Sequence, residues 1–453
     1  MKKKDLLCLG AGSAHGWDNM EAALDLANSG KCEYLIFDCL SEKLVLNLAR
    51  HFGEKRAPGW EPHLESRMRQ VIPACASTQT TIVTNVGASD PYGAAVKIKE
   101  LCTEAGYPQL KVLTVVGDNV IDLIRELDPV VEETGQPVSA FGDNFLAASA
   151  YCPVRPLVEA LDQGADIVVS GRAGDSTQYL APMIHKFSWS YDDWTRLAKG
   201  LGIGHLMECA AQITGGYFAD PPYKTVPDLH QIGFPIALIE PSGNAEITKL
   251  PNTGGLVSRR TCIEQVLYEI GDPANYKHND AIVDFTTTEI TEVGLNRVLI
   301  TGTSGYPKPS TIKICLGVHE GYFGYGETSY GGDSAYERAK LAAEVVSGRL
   351  SIKGFDISKL RFDFVGINSI FNWKGEVPIP REVRLRVAGT FPTREEAETV
   401  YGVVGELPCN GPTGGTWGRD VDGGGIEEIT GMYTTFVPQE MIRHEVIDVS
   451  KMA

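Results

Sequence analysis

GADIVVSGRAGD, residues 164–175, joins a short apolar run to an arginine and an aspartate bracketed by glycines. The run Asp166–Ser170 is apolar and β-branched on both faces, as a strand of a parallel sheet covered on both sides must be. The glycines that follow let the backbone come close to a bound group. Five further runs of this kind precede it: Leu6–Leu9, Tyr34–Phe37, Thr81–Thr84, Lys111–Val116 and Val138–Phe141. Amphipathic helical stretches separate them. One starts at Asp18-Asn-Met-Glu21, a capping-box spacing, continues through Ala22, Ala23, Leu26 and Ala27, and stops at Gly30.

Strand and helix in strict alternation build a parallel sheet with helices on its faces. Near Trp189 the alternation gives way to a helical stretch through Cys209, then to the glycine- and proline-rich segment Gly215–Pro235. Beyond about residue 240, runs of strands precede a helix: Ala281–Phe285, Arg297–Thr301 and Thr311–Gly317, then Ser334–Ser347. Glu382–Val387, a helix from Arg394 to Val403, the glycine-rich Gly411–Gly425 and the apolar run Met432–Val437 close the chain. The pattern predicts an α/β protein with an N-terminal doubly wound, largely parallel sheet and a C-terminal α+β domain. The expected division is 1–235, carrying a site at the strand ends, and 236–453, carrying glycine-rich loops.

Composition narrows the function. The chain has 453 residues, long enough for two or three cores. A formal net charge of −17 repels a phosphate backbone, and no basic patch offsets it, so nucleic acid is not an expected partner. The ten cysteines form no CxxC pair and several lie in apolar runs, as reduced cysteines of a cytoplasmic protein do. The opening MKKKDLLCLGAG runs into glycines too early for a signal peptide, and no apolar run approaches the roughly 20 residues of a membrane span.

In an open parallel sheet, ligands bind beyond the carboxyl ends of the strands. The six predicted strands lead into Gly10-Ala-Gly12-Ser13-Ala-His15-Gly16, Asp38, Asn85-Val-Gly87, Gly117-Asp118, Gly142-Asp143-Asn144 and Gly171-Arg172-Ala-Gly174-Asp175. Singly, each reads as an ordinary turn or helix cap. Together they predict a shared site. Arg172 is the expected clamp for a carboxylate or phosphate, with Asp175 as its orienting partner. Gly10, Gly12, Ser13, His15, Asp38, Asn85, Gly87 and Asn144 are expected to bind substrate beside it. GxGxxxG in the first loop, with Asp38, also invites a dinucleotide, but a Rossmann fingerprint needs glycine where His15 stands. Asp118, Asp175 and, from the second half, Glu327 in Gly326-Glu327-Thr328 are the candidate general acids and bases. Asn410, in Cys409-Asn410-Gly411-Pro412, is expected to reach toward substrate from another glycine-rich loop. His205 and Glu208, with Cys209, share one face of a helix and form a weak divalent-metal candidate. No tightly bound cofactor is expected.

The same landmarks carry a resemblance that covers nearly the whole chain. They are the Gly10–Gly16 loop, TNVGASDP at 84–91, VVGDN at 115–119, GADIVVSGRAGD at 164–175, GHLMECAAQITGGYFADP at 204–221, NTGGLVS at 252–258 and CNGPTGG at 409–415. Together they resemble the acyclic terpene utilisation (AtuA-type) family. The resemblance implies a role in the catabolism of terpenoid and other branched acids. It also implies, for many members, a small ferredoxin-like domain, here expected as a separate partner subunit. Ser89-Asp90 and the stretch Asp420–Gly425 depart from the family pattern.

The combined expectation is a lyase or hydratase acting on a small unsaturated or hydroxylated carboxylic acid, or on its coenzyme A thioester. A nucleotide-dependent oxidoreductase and a ligand-binding subunit of a two-component enzyme are the alternatives. A homo-oligomer is expected, because glycine-rich loops line subunit interfaces as readily as pockets.

Overall fold

A computed structural model describes residues 6–371, 380–417 and 425–451. Among these residues the chain is a mixed α/β protein of two compact units, one of residues 1–317 with 432–453, the other of 318–431.

The first unit contains strands β1 (Leu7–Ser13), β2 (Tyr34–Phe37), β3 (Thr81–Ala88), β4 (Val112–Val116), β5 (Phe145–Ala150) and β6 (Ile167–Gly171). It continues with β7 (Pro235–Ile239), β8 (Ala245–Lys249), β9 (Tyr276–Lys277), β10 (Ile282–Asp284), β11 (Glu289–Gly294), β12 (Arg297–Thr301) and β13 (Ser304–Tyr306). The chain passes into the second unit along β14 (Thr311–Gly331), which is followed there by β15 (Arg361–Val365), β16 (Glu382–Phe391) and β17 (Thr416–Trp417). It returns along β18 (Ile426–Pro438), and β19 (Glu445–Asp448) closes the first unit.

Ten strands form one sheet in the order β11-β12-β8-β7-β1-β2-β3-β6-β4-β19. Its centre, β1-β2-β3-β6-β4, is parallel. Antiparallel strands extend it on both sides, β7, β8, β12 and β11 beyond β1 and β19 beyond β4. The central strands are apolar on both faces because both faces are covered: Leu7, Leu9, Leu35, Ile36, Phe37, Val168 and Val169 are all buried. Helices Met20–Ser29, Leu64–Thr78 and Pro91–Glu104 pack side by side, and Val154–Asp162, Thr177–Phe187 and Trp194–Glu208 form a second row, as a doubly wound sheet requires.

Two expectations change. Val138–Phe141 is not a strand but the start of a 3₁₀ stretch, Val138–Asn144. Pro137 precedes it, the Asp128 carboxylate binds the Ser139 amide and hydroxyl at 2.7 and 2.8 Å, and Gly142 breaks the backbone at φ 54°, so the segment coils. The true β5 begins at Phe145 and pairs with β14 outside the large sheet. The expected boundary at 235/236 also differs from the observed division, because β7, β8, β11 and β12 complete the large sheet. The residues past 235 thus share the core of the N-terminal half, Ile236 and Ala237 lying buried in one cluster with Leu7 and Leu9.

In the second unit an antiparallel sheet, β15-β16-β14-β17, packs helices Ala335–Ile352 and Arg394–Gly405 through Val383, Leu385, Val387, Ala339, Val346 and Val400. This is the α+β pattern expected of the C-terminal part. Most of the Asp420–Gly425 stretch lies outside the described residues.

Candidate functional site

The strand ends separate into structural and exposed groups. Gly10 and Gly12 lie inside β1, not in a loop. A Cβ on Gly10 would stand 2.9 Å from Cys32 Sγ, and one on Gly12 would stand 2.6 Å from the Phe37 ring, so both glycines serve packing against β2. Gly87 is required because a Cβ there would meet Pro91 and the Ser170 carbonyl at 2.6 Å. Ser13 donates to the Asp38 carbonyl at 2.8 Å. Asn85 donates to the Asp38 carboxylate at 2.7 Å and accepts from the Cys39 amide at 2.8 Å, which fastens the ends of β2 and β3. Burial pushes Asp38 well above the usual carboxylate range, and the charge of Asp175 adds to this. His15 is exposed.

The amides after β1 are already engaged. Asp18 takes the Ala14 amide at 2.7 Å, and Asn19 caps the following helix through the amides of Glu21 and Ala22. Behind this loop lies a feature with no motif in the sequence: Arg67 and Glu61, each 1% exposed, pair at 2.8 Å, and Arg67 holds the Gly16 carbonyl.

Asp118 is buried against Gly171, where only a glycine leaves room for its carboxylate, and it accepts from the backbone amides of Arg172 and Asn119. Desolvation pushes it up to about 7. Asp143 and Asn144 are exposed at the end of the 3₁₀ stretch. Glu327 belongs to the second unit, where Arg386 at 2.7 Å and Arg384 at 3.4 Å hold it. Asn410, in the same unit, is exposed and donates to the Glu406 carbonyl at 3.3 Å.

Arg172 and Asp175 converge with the metal candidates His205 and Glu208 and with residues that no motif marked. A cavity of about 620 Å³ in the first unit is lined by Glu42, Tyr151, Asp175, His205, Glu208, Tyr276, His278 and Lys313, among others. Arg172, only 3% exposed, lies behind the lining residues Asp175 and Tyr151: it pairs with Asp175, donates to the Ala173 carbonyl at 3.0 Å and lies 4.8 Å from the centre of the Tyr151 ring. Tyr151 donates to Glu42, the first residue of the helix after β2. Desolvation pushes the Glu42 carboxyl up. Arg172, the Tyr151 hydroxyl and Lys313 outweigh it and hold the group down at about 2.

On another wall, the last turn of helix Trp194–Glu208 places His205 and Glu208 three residues apart on one face. His205 Nδ1 lies 3.2 Å from Glu208 Oε1, and Glu208 Oε2 accepts from Ser176 Oγ at 3.2 Å. A Cβ on Gly204 would fall 2.7 Å from the Ser176 backbone, so glycine at this position lets the helix approach closely enough to make that contact. His205 is 1% exposed, and its Nε2 is buried near the carbonyls of Gln265 and Val266 without a well-formed hydrogen bond among the described residues. Burial lowers its affinity for a proton. The Glu208 hydrogen bond and charge, with the carbonyls of Gln265 and Val266, more than offset that and leave its pKa above the ordinary value.

Thr177, the next residue after Ser176, contacts a second pair: it donates to Asp280 at 3.2 Å and meets His278 Nε2 at 3.4 Å. No group of three or more His, Cys, Asp or Glu suited to a metal ion occurs among the described residues. His205 and Glu208, the metal candidates, contact each other at 3.2 Å. Among the same residues no helix is long and apolar enough to cross a membrane.

Fold and site thus define an α/β protein with a cavity of histidine–carboxylate pairs beside the carboxyl edge of a parallel sheet. The family model described as acyclic terpene utilisation family protein AtuA matches residues 7–447, nearly the whole chain. The chain belongs to that family. The comparisons with curated proteins and with solved structures return no match.

Proposed function

We propose that the chain is a catabolic lyase of the hydratase or dehydratase type, acting on a small unsaturated or hydroxylated, branched carboxylic acid or its coenzyme A thioester. The observation that carries this reading is His205: its Nδ1 is oriented by a carboxylate that a hydroxyl fixes in turn, and the residue lines the cavity. A base or acid held by an orienting third group is the arrangement that proton transfer requires.

In the dehydration direction, the Asp175 carboxylate takes the proton next to the substrate's carbonyl carbon and protonated His205 gives one to the departing hydroxyl. Glu208 stabilises the imidazolium until it has done so. Membership of an acyclic terpene utilisation family supports a catabolic role. The oxidoreductase alternative loses support because Asp18 and Asn19 occupy amides that a dinucleotide's phosphates would need. His205→Gln should lower kcat about 10²–10⁴-fold in a hydration assay over a panel of unsaturated acids and thioesters. Unchanged turnover would remove His205 from the reaction.

A further inference from the structure

Three donors at one wall of the cavity meet on a single oxygen. Glu42 Oε1 accepts from the Tyr151 hydroxyl, lies 3.4 Å from Lys313 Nζ and lies 3.7 Å from Arg172 Nη2. These groups come from the residue after β5, from β14 and from the loop after β6, so the fold alone brings them together. Both cations also pack on the tyrosine ring, Arg172 at 4.8 Å and Lys313 at 5.4 Å from its centre. A hydroxyl, a guanidinium and an ammonium around one carboxylate oxygen is how a protein grips a carboxylate ligand.

Glu42 is placed to leave. It is the first residue of its helix, its side chain is 25% exposed, and it lines the cavity together with Tyr151 and Lys313. With Glu42 in place the wall carries two positive charges, Arg172 and Lys313, and two negative ones, Glu42 and Asp175. Rotating Glu42 toward solvent leaves one positive charge in excess, which an incoming carboxylate would restore to balance.

We propose that Tyr151, Arg172 and Lys313 form the binding site for the free carboxylate of the substrate, and that Glu42 occupies this cradle as an internal competitor which the substrate displaces. The inference rests on the cavity being the substrate site and selects the free acid over the thioester. A competitor that must be moved aside weakens apparent affinity by the fraction of time that the site stands open, so removing its charge strengthens binding.

The test is calorimetric titration of 3-methylbut-2-enoate, and of its methyl ester, into the wild-type chain, Glu42→Gln and Lys313→Met. The acid should bind Glu42→Gln about tenfold more tightly than wild type. Lys313→Met should weaken the acid, and the ester should bind all three chains alike. Equal or weaker binding of the acid by Glu42→Gln, or no binding of the acid to any chain, overturns the cradle. Because titration needs no turnover, it separates the two readings. Tightened binding without any hydration activity would sink the lyase and leave the cradle, and hydration with unchanged binding would sink only the cradle.

Discussion

As the proposed general acid, His205 must be protonated to act, and the hydrogen bond and charge of Glu208 raise its pKa above the ordinary histidine value. The alkaline limb of the kcat profile should therefore fall at a pH above about 6.5. Glu208→Gln should move that limb toward lower pH, which a profile measured on both proteins checks. Asp118 makes a different prediction. Burial raises it from 3.8 to about 7, so between these values the folded chain holds a proton that the unfolded chain releases. The stability this group contributes is complete below about pH 4 and is lost as pH rises through 7. Asp118→Asn should flatten the decline seen in urea unfolding across that range. The pairing of Arg172 with Asp175 was legible, since the two directly follow an apolar strand three residues apart. Glu42, Tyr151, Lys313 and His278 were not legible, because each is an ordinary residue beside an ordinary turn until tertiary pairing brings it to the cavity.

Among the elements, the contact of helix Trp194–Glu208 with Ser176 depends on Gly204. Gly204→Ala should push the helix off Ser176, loosen Glu208 and cost about 1–3 kcal/mol of stability by overpacking. Activity should fall further than that loss explains, which unfolding and turnover of the same variant would show. The parallel strands β1 to β4 and β6 could be read from their apolar, β-branched runs, because burial on both faces leaves that mark. Val138–Phe141 carries the same composition and still coils, since Asp128 and Gly142 fix its backbone locally. The first glycine loop misled for a related reason. Spacing cannot tell a glycine that admits a ligand from one that admits Cys32 or Phe37.

At the scale of the whole molecule, the first unit is assembled from both ends of the chain. β19 covers the edge of β4, and the Val112 amide is bound by Ser450 at 2.9 Å. A fragment of residues 1–235, the domain expected from the alternation of strands, lacks β7, β8, β11, β12 and β19 and should fail to unfold cooperatively on heating. Joining 1–317 to 432–453 through a flexible linker should restore a cooperative transition. No local pattern announces this, because pairing across more than three hundred residues leaves no trace in spacing. The central claim is that protons are moved at the cavity, by Asp175 at the carbon beside the carboxyl group and by His205 at the hydroxyl, so that loss of either stops the exchange. It is tested most directly by incubating the chain in deuterated water with unsaturated and hydroxylated branched acids and their thioesters, then measuring deuterium beside the carboxyl group by mass spectrometry. Deuterium incorporated by the wild-type chain and lost in His205→Gln is the expected result. Incorporation into none of these substrates, or equal incorporation by the two proteins, would contradict it.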